Sequence, residues 1–380
     1  MEPFEKTILV TRPYFPPLED FKKACEKIWQ NQYLTNNGPV LREFQQRLAD
    51  YLRMDVKNLD LFNNGTLALE VGLYALDLSG YDVITTPFTF VATAHAIKRI
   101  GANPVFADID PENLCLDPAA CEKLITPRTK AIVPVHVYGH PCDVDGFARL
   151  SEKYGVKIIY DAAHAFGVKL RDRSIAAYGD MSMFSFHPTK LFHSCEGGLL
   201  TFADSSLQAK LEQLRNFAIL SETKCIDVGT NAKMNELQAT MGNLCMNAVD
   251  RLIAYRRSIH ETYEKAFARC ENIRMVNPIS GNTNITPDDF SRNDAYCPVL
   301  FKDFETREKV YKELKKYNVF SRRYFYPLLT DFTPYLGGNE TPVAKDAAAR
   351  VLTLPTYDKL SLQDVEKIAS IVKEIAGESK

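Results

Sequence analysis

From residue 82 onward, short apolar runs alternate with stretches whose apolar positions recur at helical spacing. Val83-Ile84-Thr85 leads through Pro87-Phe88-Thr89-Phe90 into a helix predicted over 91–100. Strands are predicted over 104–107 and 131–135. A helix over 144–154 precedes a strand over 157–160, which closes in Asp161-Ala162-Ala163-His164. Alternating units of this kind build a parallel or mostly parallel sheet with helices on both faces, and such sheets bind ligands at the carboxyl ends of their strands. Phe88, Asp161 and His164 stand at those ends.

The flanking regions extend the pattern. A strand over 7–11 precedes helical spacing over 18–32, with Phe21, Ala24, Cys25 and Ile28 on one face. It stops at Tyr33-Leu34-Thr35-Asn36-Asn37-Gly38-Pro39, a loop dense in side-chain amides, before a helix over 40–51. Leu59 to Phe62, Asn63-Asn64-Gly65-Thr66 and the run 67–76 read as strand, tight turn and helix. A helix start offers unpaired N–H groups, and Gly65 would let the backbone approach a phosphate; many α/β proteins show that pattern and bind nothing there. Past residue 205 the character changes. A helix over 207–217, a polar link over 221–227 and one long helical pattern from Asn235 to about Arg269 lead to a strand at 298–301. Helices over 307–317 and 362–376 follow, the last with Ser361 as its N-cap. The expected division is a large domain over 1–250 and a smaller C-terminal α/β domain over 251–380, with a polar loop from Asn277 to Asp294.

The totals narrow the classes. A chain of 380 residues exceeds one ordinary core, and its 46% hydrophobic and 25% charged residues are those of a water-soluble globular protein. A formal net charge of −2, with both signs mixed, gives no reason to expect a nucleic-acid or membrane partner. The 9 cysteines form no CxxC pair, so neither a zinc site nor a disulfide framework is expected. The start carries early acidic residues and only Ile8-Leu9-Val10 as an apolar run, unlike a secretory signal. A cytoplasmic protein is the expectation.

The candidate chemistry centres on the stretch from Gly179 to Phe202. Lys190 falls on a loop between two apolar, strand-like runs, with Ser185 upstream and His187-Pro188-Thr189 stiffening the approach. Desolvation lowers a lysine's pKa and makes its amine nucleophilic. Alone, Lys190 reads as the turn lysine of an ordinary hairpin, and Asp161 as a helix cap. Together, a lysine, an Asp and an aromatic ring at one sheet edge describe a site for pyridoxal 5′-phosphate. The lysine would bond the aldehyde, the carboxylate would keep the pyridine nitrogen protonated, and Gly65, Thr66 and Ser185 would hold the phosphate.

The motifs Thr35-Asn36-Asn37-Gly38-Pro39, Asn64-Gly65-Thr66-Leu67-Ala68-Leu69, Asp161-Ala162-Ala163-His164-Ala165, Ser185-Phe186-His187-Pro188-Thr189-Lys190, Glu196-Gly197-Gly198 and Leu354-Pro355 occur in order. In these the chain resembles the DegT/DnrJ/EryC1/StrS family of pyridoxal-phosphate-dependent sugar aminotransferases. The resemblance implies an α/β fold of the aspartate aminotransferase type (fold type I) and a homodimer with shared active sites. It implies Lys190 as the catalytic lysine, Asp161 as the pyridinium partner, His164 near the phenolic oxygen and Phe88 as the stacking ring. Gly65, Thr66 and Ser185 match phosphate contacts, and Asn231 matches an Asn that reaches the neighbouring subunit's phosphate. Asn37, His187 and Tyr326 are candidate sugar or nucleotide contacts, with a purely structural role open for each.

The subfamily wording resembles that of 4-aminotransferases acting on dTDP-4-keto-6-deoxy-D-glucose, with L-glutamate as donor, in O-antigen and similar glycan synthesis. Amination at C3 and a non-catalytic regulatory protein are the alternatives. The chain departs from relatives at Tyr160 and Cys195, at Lys233 where Arg is usual, and at Phe217-Ala218 where His-Gly is familiar.

Overall fold

A computed structural model of the chain describes residues 1–279 and 285–378. The central sheet has strands β1 (Leu59–Phe62), β2 (Asp82–Thr85), β3 (Asn103–Phe106), β4 (Thr129–Ile132), β5 (Lys157–Asp161), β6 (Met181–Ser185) and β7 (Gly198–Phe202). They lie in the order β1-β7-β6-β5-β4-β2-β3. Strands β6, β5, β4, β2 and β3 are parallel neighbours, whereas β7 runs antiparallel to both β1 and β6. The exception follows from the lysine loop: residues 186–197 return the chain directly beside β6, and a direct return can only pair antiparallel.

Period-two alternation divides the sheet between two cores. Ile84, Ile132, Ile158, Tyr160, Phe184 and Leu199 face one cluster, with Phe44, Phe166 and Phe192. Val83, Ala131, Ile159, Met183 and Leu200 face the other, with Leu69, Leu73 and Ile97. Because helices cover both faces, β1 and β7 are buried along their whole length.

A second, antiparallel sheet carries Ile273–Met275, Cys297–Phe301 and Val351–Leu354 in that order. Its core joins Val299 and Leu352 to Ile259 and Tyr263 of the helix Val249–Phe267, and to Ile368 and Val372 of the helix Leu362–Ala376. Ile8 belongs to the same core, and the strand Ile8–Leu9 pairs in parallel with Val319–Phe320. Ser361 caps the last helix by accepting the Asp364 N–H, as expected.

Several expectations are corrected. The single helix expected from Asn235 to Arg269 is two, Glu236–Met246 and Val249–Phe267. The first ends where the N–H groups of Asn247 and Ala248 turn to carbonyls only three residues back, Leu244 and Cys245. The polar link at 221–227 is mostly a short exposed hairpin of Ile219–Ser221 and Lys224–Cys225. The helix expected over 207–217 stops at Leu214. The helix expected from Arg307 starts at Phe304, because Asp303 accepts the Thr306 N–H as its N-cap. The centre of the 277–294 loop, residues 280–284, and the last two residues of the expected small domain, 379 and 380, lie outside the described residues. No described helix is long and apolar enough to cross a membrane.

Candidate active site

The loop between β6 and β7 is closed at its base, where Phe186 N–H donates to the Gly197 carbonyl at 2.8 Å and Ser194 N–H to the Phe186 carbonyl at 3.1 Å. The Phe186 and Phe192 rings, with centroids 4.8 Å apart, pin it to the sheet, and Phe166 stacks on Phe192 at 4.6 Å. Lys190 is thus carried on a fixed turn, its own N–H bonded to the His187 carbonyl. Part of its stem is exposed, but its amine points inward and donates to the Tyr296 hydroxyl at 3.3 Å. Burial pushes the Lys190 pKa down to about 8, against the pull of Asp161 and Tyr324.

Asp161 ends β5 and is buried. The Thr93 hydroxyl donates to its Oδ2 at 2.7 Å and Ala163 N–H to its Oδ1 at 3.0 Å. A turn rather than a helix follows it, so Asp161 is not a helix cap. Burial raises its pKa, and the Thr93 and Ala163 bonds and Lys190 pull it back. Three residues on, His164 Nδ1 accepts the Tyr138 N–H at 3.0 Å, which places the proton of the neutral ring on Nε2. Burial holds its pKa well below the usual histidine value, so the ring is neutral. It stacks on Phe325 at 6.0 Å and leans on Tyr296 at 4.4 Å. Phe88, fully buried beyond β2, meets Phe325 and Tyr138 edge-on at 5.9 Å and 6.3 Å.

Beside this cluster the helix Gly65–Ala75 begins. Asn64 Oδ1 takes the Leu67 N–H at 2.9 Å, which leaves the amides of Gly65 and Thr66 without an acceptor among the described residues. The helix start and the lysine hairpin touch: a Cβ on Gly65 would lie 3.0 Å from Ser185 Cβ, and one on Gly198 would run into the Asn64 carbonyl. Free amides, the Ser185 hydroxyl and the positive end of a helix therefore meet at one point, where an anion is favoured.

The structure brings Lys190, Asp161, His164, Phe88, Gly65, Thr66 and Ser185 together, and the remaining candidates lie outside that cluster. Asn37 Oδ1 accepts from Arg215 at 2.8 Å. His187 is on the rim, bonded to Thr189 at 2.7 Å and 3.6 Å from Glu196. Tyr326 packs against Phe304, with the guanidinium groups of Arg307 and Arg323 over its ring at 4.4 Å and 5.2 Å. Asn231 is exposed and bridges to Asn216.

Sequence reasoning missed Thr93, Tyr138, Tyr296, Tyr324 and Phe325. Thr93 was within reach, because it follows Thr89 by one helical turn, directly after the Phe88 loop. Nothing local signals Tyr296, which lies 106 residues from the lysine it touches. The arrangement combines a nucleophilic amine, a buried carboxylate, a neutral imidazole N–H and an anion-binding helix start.

A profile of the DegT/DnrJ/EryC1/StrS aminotransferase family matches residues 18–373. The chain belongs to this family. It is 42% identical over 376 residues, 98% of this chain and 100% of its relative, to the dTDP-4-amino-4,6-dideoxy-D-glucose transaminase of Shigella dysenteriae. Among solved structures, DesI in the presence of its TDP-sugar product is similar to this aminotransferase with a TM-score of 0.91 at 32% identity, covering 99% of this chain and 94% of that one. NtdA from Bacillus subtilis with bound cofactor PMP is similar with a TM-score of 0.85 at 26% identity, covering 95% of this chain and 82% of that one. The DegT/DnrJ/EryC1/StrS aminotransferase thus has the expected fold of the aspartate aminotransferase type.

Proposed function

We propose that this aminotransferase uses pyridoxal 5′-phosphate to move an amino group from L-glutamate to C4 of dTDP-4-keto-6-deoxy-D-glucose, yielding dTDP-4-amino-4,6-dideoxy-D-glucose and 2-oxoglutarate. The observation that carries the reading is the inward-facing Lys190 amine, set near the buried Asp161 carboxylate at the strand ends. The name of the Shigella relative, at 42% identity, supports the substrate and the C4 position.

The residues present fit the cofactor. The Gly65 and Thr66 amides and the Ser185 hydroxyl would take its phosphate, Asp161 its ring nitrogen, His164 Nε2–H its phenolic oxygen, and the Phe88 ring its face. When bound, pyridoxal phosphate supplies an aldehyde that bonds amines and a ring that draws electrons from the carbon being deprotonated. Lys190 Nζ takes the proton from the donor's α-carbon and later gives one to C4 of the sugar, and its lowered pKa suits both directions near neutral pH. Asp161 keeps a negative charge opposite the ring nitrogen, oriented by Thr93 and Ala163. Phe88, Phe325 and Tyr138 keep water from that side of the site.

Phe217, Ile219, Leu220, Ile226 and Val228 are exposed around the 219–225 hairpin. A cluster of this kind favours burial against a partner, and a second copy of the chain is our choice, with Asn231 turned to the partner's phosphate. Asn37, His187 and Tyr326 remain candidate contacts to the sugar nucleotide. We place the domain boundary near residue 250, where the helix Val249–Phe267 begins. We locate the protein in the cytoplasm, supplying amino sugars for O-antigen or a related glycan.

The test is an absorbance spectrum of the loaded enzyme, first with L-glutamate and then with dTDP-4-keto-6-deoxy-D-glucose. The visible cofactor band should bleach and return, and NMR of the product should place the new amine at C4. A band restored by the 3-keto isomer of that sugar nucleotide, and not by the 4-keto compound, would move the reading to C3. Absence of any band with added cofactor would favour a non-catalytic protein.

A further inference from the structure

The partner of the Lys190 amine is a neutral hydroxyl. Tyr296 receives its hydrogen bond at 3.3 Å, while Asp161, close enough to affect the amine's charge, does not. Tyr296 is held in place from several directions. Asn293 Nδ2 donates to the carbonyls of His164 at 2.8 Å and Phe166 at 3.0 Å, and its Oδ1 accepts the Ala295 N–H at 3.1 Å. From the helix Val249–Phe267, Arg256 donates to the Ala295 carbonyl at 2.8 Å. The Tyr296 ring leans on His164 and meets the Tyr324 ring edge-on at 6.2 Å. A loop from the C-terminal part of the chain is thus laced to the sheet's carboxyl edge, with one hydroxyl directed at the lysine.

We propose that Tyr296 is the positioning residue for Lys190: its hydroxyl holds the ε-amine whenever that amine is free of the cofactor, and keeps it poised to move protons. The inference rests on the reading that Lys190 is the acting amine. A freed lysine gains rotamer freedom of about 2 kcal/mol at most, and a general base must stay within hydrogen-bond reach of its proton. In each half-reaction the amine alternates between its neutral and protonated forms. A carboxylate would favour the protonated form, whereas a hydroxyl can donate to the one and accept from the other. Burial raises the Tyr296 pKa, so the hydroxyl keeps its own proton. The other titratable or charged groups around the pair are Asp161, His164, Tyr138, Tyr324 and Arg256.

The test is Tyr296→Phe, which keeps the ring and removes the hydroxyl. With its hydroxyl partner gone, the amine should turn to Asp161. In the cofactor-free full chain, the pH midpoint for acetylation of Lys190, read by peptide mass spectrometry, is then expected to rise by about one unit. In the loaded enzyme, single-turnover proton transfer should slow about ten- to a hundredfold, with donor binding within about twofold of wild type. A residue that only fills space would move neither the midpoint nor the rate. An unmoved midpoint with unchanged rates overturns the proposal and leaves the role of Lys190 standing, whereas turnover in Lys190→Ala overturns that role whatever Tyr296 does. If Tyr296→Phe does not fold, 3-fluorotyrosine at position 296 alone replaces it. Its more acidic hydroxyl should lower the Lys190 midpoint, and an unmoved one again overturns the proposal.

Discussion

Two buried acid–base pairs lie along one sheet, and they are built oppositely. In the first, Asp60 of β1 faces Arg215 with Oδ2 and Nε 2.8 Å apart, and both side chains are almost wholly enclosed. The same guanidinium reaches the Leu61 carbonyl at 3.1 Å and Asn37 Oδ1 at 2.8 Å, tying β1 to the loop ahead of the helix Pro39–Leu52. In the second, Lys190 and Asp161 each bond neutral partners, Tyr296 on one side and Thr93 on the other. An arginine keeps its proton at any working pH and suits a permanent clamp; a lysine short of a carboxylate can lose its proton and do chemistry. Whether a buried charge is structural or chemical depends here on the partner it is given.

The largest expected effect breaks the second pair. Lys190→Ala should lower turnover at least about a thousandfold, while the chain stays folded by circular dichroism and thermal melting. Normal turnover would remove the distinction between the two pairs. Next comes the clamp. Arg215→Met leaves Asp60 buried without its cation, and urea unfolding at pH 7 should show a loss of about 3–5 kcal/mol. Burial already holds the Asp60 pKa up at about 6 despite Arg215, so the variant should lose less at pH 5, where Asp60 is protonated in the fold. A variant as stable as wild type at pH 7 would mean that the clamp carries no load.

The second pair was legible in the sequence, and the clamp was not. Short apolar runs marked β2, β5, β6 and β7, and strand ends in such a sheet are where Phe88, Asp161 and Lys190 had to be sought. The Asp60–Arg215 pair and the Lys190–Tyr296 bond join positions far apart in the chain, and no local spacing announces them. Two departures from the family pattern also became intelligible only in three dimensions. Phe217 and Ala218 both adopt positive φ, 60° and 52°, where a glycine would be at ease. Lys233 covers the Phe217 ring at 4.9 Å and donates to Asn216 at 2.8 Å, so the two substitutions pack on each other. The break at Asn247 was hidden because helical spacing runs on through it.

The smallest expected effect is on stability against pH, and its sign separates the pairs once more. The Lys190 pKa is about 8 in the fold and near 10.5 in the unfolded chain. Between those values the unfolded chain binds the proton and the folded chain does not, so stability rises with pH through that window. Below about pH 8 the fold must keep a cation in a dry place. Lys190→Met, which fills the same space without the charge, should therefore melt above the cofactor-free wild type at pH 7, and the gap should close as pH climbs from 8 toward 10.5. Paired melting curves across that range decide it. A gap that stays constant would mean that the amine is solvated in the fold, and that its partner, whether hydroxyl or carboxylate, has little hold on its proton.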